Sequence, residues 1–308
     1  MLHKILVTGG AGFIGSHLVD RLLREGFEVT LIDDLSSGSL ENIRHHTSEK
    51  NLRFIQGDIQ NFNLVKSAMK DVDAVFHEAA VLSWTNSWES LTHLNQVNVN
   101  GTLTVLKACL DSKIKRFIYA SSAAVYGETS VQPQHEDLTP KPISSYGVSK
   151  LSAEQYTQMF HKLYDLETVC LRFFNVYGPR QTHGPYSGVI TNFINRISRN
   201  EPPIIYGDGE QTRDFVNVKD VIDASMLALR KKSAVSEVFN VGTGVATKIN
   251  ELAKILLQIM NKIGVKPIHT DSRPTDIRHS CADISKIKKS LGYSSKISLR
   301  NGLFELIQ

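Results

Sequence analysis

Cysteine is scarce in this chain. There are three in 308 residues, Cys109, Cys170 and Cys281, and they are far apart and odd in number, so neither a disulfide framework nor a metal-ligand spacing follows from them. They read as small apolar fillers in a reducing compartment. A dominant charge is also missing. The 35 basic and 31 acidic residues leave a net charge of +4 with no basic block, which gives no support to a nucleic-acid partner and suits, weakly, an anionic small molecule. No apolar run approaches the length that spans a bilayer. The N-terminus, Met1-Leu2-His3-Lys4, enters a strand-like segment directly, without a charged leader, a long apolar stretch or a cleavage site. The expectation is a cytoplasmic protein. Repeats, low-complexity segments and long linkers are absent too. What remains is an ordinary globular composition, 41% hydrophobic and 21% charged, with length for a large core in one or two domains.

Against this background one glycine cluster is informative. Lys4 to Thr8 reads as a short buried strand, followed by Gly9-Gly10-Ala11-Gly12-Phe13-Ile14-Gly15 and a helical run from about Ser16 to Glu25. Glycines at 9, 12 and 15, or at 10, 12 and 15, suit a tight strand-to-helix turn, close backbone approach to a pyrophosphate and close packing of helix on sheet. The helix N-terminus offers free N–H groups to phosphates. A second strand, Glu28 to Ile32, ends in Asp33, at the distance expected of a ribose-binding carboxylate. A carboxylate there repels a 2′-phosphate and no arginine follows directly, so NAD is favoured over NADP.

The pattern repeats. Strands are expected at Leu52 to Gln56, Ala74 to His77 and Phe117 to Ala120, with a helix from Asn95 to Leu110. Alternating strands and helices imply an α/β fold with a doubly wound parallel sheet of Rossmann type, whose ligands bind at the carboxyl ends of the strands. Asp58 and Ile59 at one such end are candidates to contact adenine, and the small Ala79 and Ala80 at another let the cofactor lie close. Ser121 and Ser122 leave the strand that follows. Tyr146 and Lys150, four apart, share one face of a helix. An ammonium and a positively charged cofactor beside a phenol would lower its pKa from about 10 into the working range of an acid/base. With a serine hydroxyl at the strand end, a Ser–Tyr–Lys proton-transfer set is complete.

The glycine cluster, SSAAVYG at 121–127, YGVSK at 146–150 and RFFNVYGPRQ at 172–181 together resemble the extended short-chain dehydrogenase/reductase family. Within it the chain is most similar to nucleotide-sugar epimerases of the UDP-glucose 4-epimerase type, over nearly its whole length. The resemblance implies Tyr146 as acid/base, Lys150 as its electrostatic partner and a holder of the nicotinamide ribose, and Ser122 rather than Ser121 on the sugar's 4-hydroxyl. Gly9, Gly12, Gly15, Asp33, Asp58, Ile59, Ala79, Asn98 and Lys150 would hold NAD, with Phe13, Ile14 and Ala80 lining the same seat. Asn175, Arg213, Arg273 and Asp276 would contact the nucleotide sugar; Val189 and Tyr206 would wall the base pocket, and Ser83 is a further sugar contact. Two arginines from separated stretches suit a diphosphate.

The NAD domain would take residues 1 to 174 and recover about 237–243 as a further strand; 175–308 would form a smaller, interleaved substrate domain. A homodimer is expected by analogy, through the helices beginning near Asn98 and Tyr146. Dehydratases of the family usually carry an Asp-Glu pair where this chain has Ala123 and Ala124, which argues against elimination. A net oxidoreductase on a keto sugar, or a non-catalytic NAD-binding regulator, is the rival. Ser280 matches a gate beside the sugar's 2-substituent; its small size leaves room for an N-acetyl group. Trp84 either caps the sugar or packs. Thr275, where glycine is usual, and Asn217, where an aromatic or histidine is common, bear on substrate identity.

Overall fold

The computed structural model describes residues 2–46, 48–82, 87–181, 188–272 and 276–308. Twelve strands are present among them: β1 (Lys4–Thr8), β2 (Glu28–Asp33), β3 (Leu52–Gln56), β4 (Ala74–His77), β5 (Arg116–Ser122), β6 (Glu167–Phe173), β7 (Asn175–Tyr177), β8 (Ile204–Tyr206), β9 (Thr212–Asn217), β10 (Glu237–Val241), β11 (Ala246–Lys248) and β12 (Ile268–Thr270). Seven of them form one parallel sheet in the order β10-β6-β5-β4-β1-β2-β3. The order reverses between β1 and β4, which opens a crevice at the carboxyl ends of those strands. Ile5, Leu6 and Val7 are wholly buried, as expected of a central strand covered on both faces. This is a Rossmann-like α/β fold.

The helices are α1 (Phe13–Arg24), α2 (Phe62–Ala68), α3 (Trp88–Asn95), α4 (Thr102–Asp111), α5 (Ser145–Tyr164), α6 (Val189–Ser198), α7 (Val218–Arg230), α8 (Ile249–Ile259), α9 (Ser285–Leu291) and α10 (Leu299–Ile307). On one face of the large sheet α1 and α7 bury Leu18, Leu22, Val221 and Leu229. On the other α2, α4 and α5 bury Val65, Val105, Leu106 and Phe160. A smaller core, with Ile190, Phe193, Leu252, Leu256 and Leu303, lies among α6, α8 and α10. It carries the short sheet β11-β9-β7 and the pair β12-β8. The edge strand β10 returns from the second half of the chain to pair with β6.

The expected helix at Asn95–Leu110 is longer and irregular. It starts at Trp88, where the Ser87 hydroxyl accepts from the Ser90 N–H at 3.2 Å, and runs through a π-helical turn, Gln96–Gly101, into α4. The first eight residues are mostly polar or exposed, so they give little helical periodicity to read. The wide turn buries Val97, Asn98, Val99 and Gly101 together. Among the described residues no helix is long and apolar enough to cross a membrane.

Candidate active site

A groove of about 410 Å³ runs along the carboxyl ends of the large sheet and into the small domain. Gly9, Gly12, Phe13, Ile14, Gly15, Asp33, Asp58, Ile59, Ala79, Ala80, Ser122, Tyr146, Lys150, Asn175 and Val189 all line it. At one end β1 turns into α1. Gly9 has φ +69°, and a Cβ there would lie 2.7 Å from the Ala79 nitrogen; a Cβ at Gly15 would lie 2.1 Å from the Gly9 oxygen. Both positions therefore demand glycine. The N-cap of α1 is Gly12 with no side-chain hydrogen bond, leaving the first-turn N–H groups for an anion.

At the end of β2, Asp33 accepts from the Ala11 and Leu35 N–H groups, each at 2.9 Å. Burial pushes its pKa up; those two hydrogen bonds oppose the rise. Asp34, Ser36 and Ser37 share this rim. Lys150 is the sole cation lining the groove among the described residues, so nothing there would meet a 2′-phosphate. A phosphate cradle, a carboxylate one strand over and small residues at the end of β4 fit NAD.

In the middle of the groove Tyr146 and Lys150 stand one turn apart on α5, whose N-cap Ser144 accepts from the Gly147 N–H at 3.1 Å. Lys150 Nζ donates to the Ala120 carbonyl at 2.7 Å and lies 5.9 Å from the Tyr146 ring centroid. Ser122 stands at the end of β5 on the same groove, its hydroxyl accepting from the Ala124 N–H at 3.1 Å. The expected lowering of the phenol by the lysine is not what the chain's own groups produce. Burial pushes Tyr146 up to about 12, Ser122 draws it back in part, and Glu78 adds to the rise. Burial likewise pushes Lys150 down to about 8, with Glu78 opposing. Glu78, passed over in the sequence as the end of a buried strand, lines the same groove and acts electrostatically on both. Burial raises its carboxyl to about 7, Lys150 opposing. A charged residue at the carboxyl end of a central strand was the signal that could have found it.

Other predicted residues act behind the groove surface. Asn98 does not line it. Its amide oxygen accepts from the Val81 N–H at 2.8 Å and its amide nitrogen donates to the Val81 carbonyl at 3.0 Å and to Ser149 at 3.1 Å, so it fixes the loop after β4. His77, pushed down to about 3 by burial and by Lys150, pairs with Thr8 at 2.7 Å and Thr102 at 2.9 Å beneath that loop. Ser121 donates to Glu154 at 2.5 Å, and Arg172 donates twice to the same carboxylate, at 2.6 and 3.1 Å. The two serines thus divide: both line the groove, but the Ser121 hydroxyl is tied to a buried ion pair while that of Ser122 accepts from the Ala124 N–H.

The substrate side is less convergent. Arg213 pairs with Asp276 and does not line the groove, and neither do Tyr206, Asp276 and Ser280. The Ser280 hydroxyl donates to Gln134 at 3.3 Å, and Tyr206 is 38% exposed. Asn217 caps α7 by accepting from the Lys219 N–H at 2.9 Å. Ser83, Trp84, Arg273 and Thr275 lie outside the described residues. Gln181, Val176 and Phe215, which the sequence did not single out, complete this wall.

A family model described as the NAD dependent epimerase/dehydratase family matches residues 5–242. The chain is 39% identical to a putative UDP-glucose 4-epimerase of Methanocaldococcus jannaschii, over 98% of this chain and 97% of that one. It is similar in structure to the UDP-glucose 4-epimerase of Thermotoga maritima solved with UDP-glucose, with TM-score 0.92, 39% identity and 99% and 97% of the two chains covered. The UDP-N-acetylglucosamine 4-epimerase of Methanobrevibacter ruminantium, in complex with UDP-N-acetylmuramic acid, superposes with TM-score 0.94 at 39% identity, covering 100% and 98%.

Proposed function

The chain belongs to the NAD dependent epimerase/dehydratase family, and from that premise we propose that it is a 4-epimerase of UDP-hexoses, interconverting UDP-glucose and UDP-galactose through a transient 4-keto sugar. One observation carries the reading: Ser122, Tyr146 and Lys150 meet in the groove, while the next two positions are alanine, where elimination would need an acid and a base. When bound, NAD⁺ supplies the hydride acceptor and a positive charge beside the phenol. Tyr146 takes the proton of the sugar's 4-hydroxyl and later returns it. Ser122 orients that hydroxyl. Lys150, fixed by the Ala120 carbonyl, stabilises the phenolate and holds the nicotinamide ribose. Because C4 would regain its hydride on the opposite face as the oxygen regains its proton, the configuration inverts and no net oxidation occurs.

Asn175 and Val189 stand on the wall of the substrate half. Arg213 would exchange part of its pairing with Asp276 for the diphosphate, joined by Arg273. The likeness to a UDP-N-acetylglucosamine 4-epimerase supports a wider range that includes UDP-GlcNAc and UDP-GalNAc, although Ser280, expected to leave room for the N-acetyl group, lies off the groove lining. The enzyme would act as a cytoplasmic homodimer; Val148, Tyr156 and Leu163, exposed along α5, offer an apolar stripe for it.

Incubating the purified protein with UDP-galactose tests the proposal. The expected outcome is UDP-glucose, copurified NAD and no net change in nicotinamide absorbance. Steady NADH formation would point to an oxidoreductase, and release of a dehydrated sugar to a dehydratase. Turnover of UDP-galactose without turnover of UDP-GalNAc would remove the N-acetyl part alone.

A further inference from the structure

A second cluster of chemically competent side chains lies outside the groove. His45 and His46 end the 3₁₀ helix Leu40–His46 and lean onto Asp20 in α1. Their rings lie 4.0 Å apart between centroids, tilted by 41°. Both Nε2 atoms converge on one carboxylate oxygen, Asp20 Oδ1, at 3.0 and 2.9 Å. All three atoms lie within 4.8 Å of one another. Asp20 and His46 are largely buried, with side chains 16% and 12% exposed, and His45 closes the cluster from the solvent side.

We propose that Asp20, His45 and His46 form a binding site for a zinc-class divalent cation, with two imidazole nitrogens and one carboxylate oxygen as ligands and a fourth position open to water. Two imidazoles and a carboxylate are the donor set of zinc and its late first-row neighbours, not of magnesium or calcium. A tetrahedral zinc with bonds of about 2.0–2.1 Å separates its ligand atoms by about 3.3 Å; the two separations from Asp20 Oδ1 need open by only a few tenths of an ångström to reach this, and the two imidazole nitrogens lie within 4.8 Å of each other. The outer partners are also in place. Glu49 Oε1 lies 2.5 Å from His46 Nδ1, which leaves Nε2 to the metal, in the carboxylate–histidine–metal pattern. Arg180 pairs with Asp20 Oδ2 at 2.9 Å, orienting the other oxygen, Oδ1, toward the histidines. Its positive charge opposes a cation, and the second oxygen of the same carboxylate stands between them.

The site would do more than decorate the surface. Arg180 and Pro179 are held to α1, Arg180 by Asp20 and Pro179 by His17, whose Nε2 lies 3.0 Å from the Pro179 carbonyl. The next residue, Gln181, lines the groove. An ion on Asp20 would therefore fasten the 3₁₀ helix, α1 and the segment leading to the substrate wall at one point.

The test is calorimetric titration of Zn²⁺ into tag-free protein, stripped with a chelator and desalted, with Mg²⁺ as control. The three cysteines are buried and do not compete. One zinc per chain is expected, with a rise in Tm and no binding of Mg²⁺. The double variant His45→Gln/His46→Gln should lose the site, and Glu49→Gln should weaken it about 10- to 100-fold through the outer partner alone. Absence of saturable zinc binding in the wild type overturns the proposal, and so does undiminished affinity in the double variant. Full affinity in Glu49→Gln, with loss in the double variant, would reduce the site to adventitious chelation by two neighbouring imidazoles and overturn it as a built centre. Circular dichroism of each variant separates loss of ligand from loss of fold.

Discussion

The two halves of the groove are built differently. The cofactor half is made of strand ends in one parallel sheet, and its decisive positions, Gly9, Gly15 and Asp33, are fixed by backbone at the turn from β1 into α1 and at the end of β2. The other half is bounded by short strands, and the side chains proposed for the substrate meet outside the groove lining, as Arg213 and Asp276 do across 63 positions. A cradle made of backbone keeps its shape when a neighbouring side chain is changed. A wall made of paired side chains shifts with each partner. Removing the Tyr146 hydroxyl or changing the substrate wall should therefore leave NAD in place, whereas changes under the sheet should not.

The largest effect is expected from Tyr146→Phe. Removing a general acid/base costs about 10²- to 10⁴-fold in turnover. The copurified NAD should stay near one per chain, because the cradle is elsewhere. Parallel loss of NAD and activity would break the separation between the chemistry and the cradle. Next comes Glu154→Ala, which leaves Arg172 as an unpaired buried charge and strips Ser121 of its acceptor. Breaking such a pair costs about 3–5 kcal/mol. Denaturant unfolding should show that loss, and NAD content should fall because β5 and α5 no longer hold the middle of the groove. A variant with wild-type stability would show that the pair adds little beneath the site.

How far each half could be read from the sequence follows from the same contrast. The strands bounding the cofactor seat were read almost to the residue because burial on both faces leaves runs such as Ile5-Leu6-Val7, and the glycine spacing places the turn. Asn98 was expected to hold NAD; it lies off the groove lining and braces the loop after β4, a role the sequence does not show because its partners Val81 and Ser149 belong to two other segments. Glu78 was read as a strand end because its meaning depends on Lys150, 72 positions away, and on the depth of the groove. Arg213 was expected at a diphosphate; its ion pair with Asp276 and its place off the groove lining are long-range facts that no local pattern encodes. The π-helical turn had no local signature either.

On the substrate side, Arg213→Ala should raise KM for the UDP-sugar about 10- to 100-fold, the worth of one charge-assisted hydrogen bond of about 1.5–3 kcal/mol. Steady-state kinetics with NAD content as control checks it. A fall in kcat at unchanged KM would place Arg213 with the reacting sugar instead of the diphosphate.

The smallest effect, and the one that tests the border between the halves, is Glu78→Gln. Glu78 has a pKa raised from the ordinary 4.5 to about 7, burial being the larger cause. Between those two values the folded chain keeps a proton that the unfolded chain has lost. The contribution of this group to stability is therefore undiminished below about 4.5, declines as pH rises through the window, and is lost above about 7. Glutamine cannot ionise. The stability of the variant relative to wild type should rise across that window and level off above it, as thermal melts at pH 5 and pH 8 would show. Glu78 raises the pKa of both Tyr146 and Lys150, so its loss should move the basic side of the pH–rate profile to lower pH. Melts that track the wild type at both pH values, together with an unmoved profile, would sink the assignment of a titrating carboxylate in the groove, coupled to Tyr146 and Lys150.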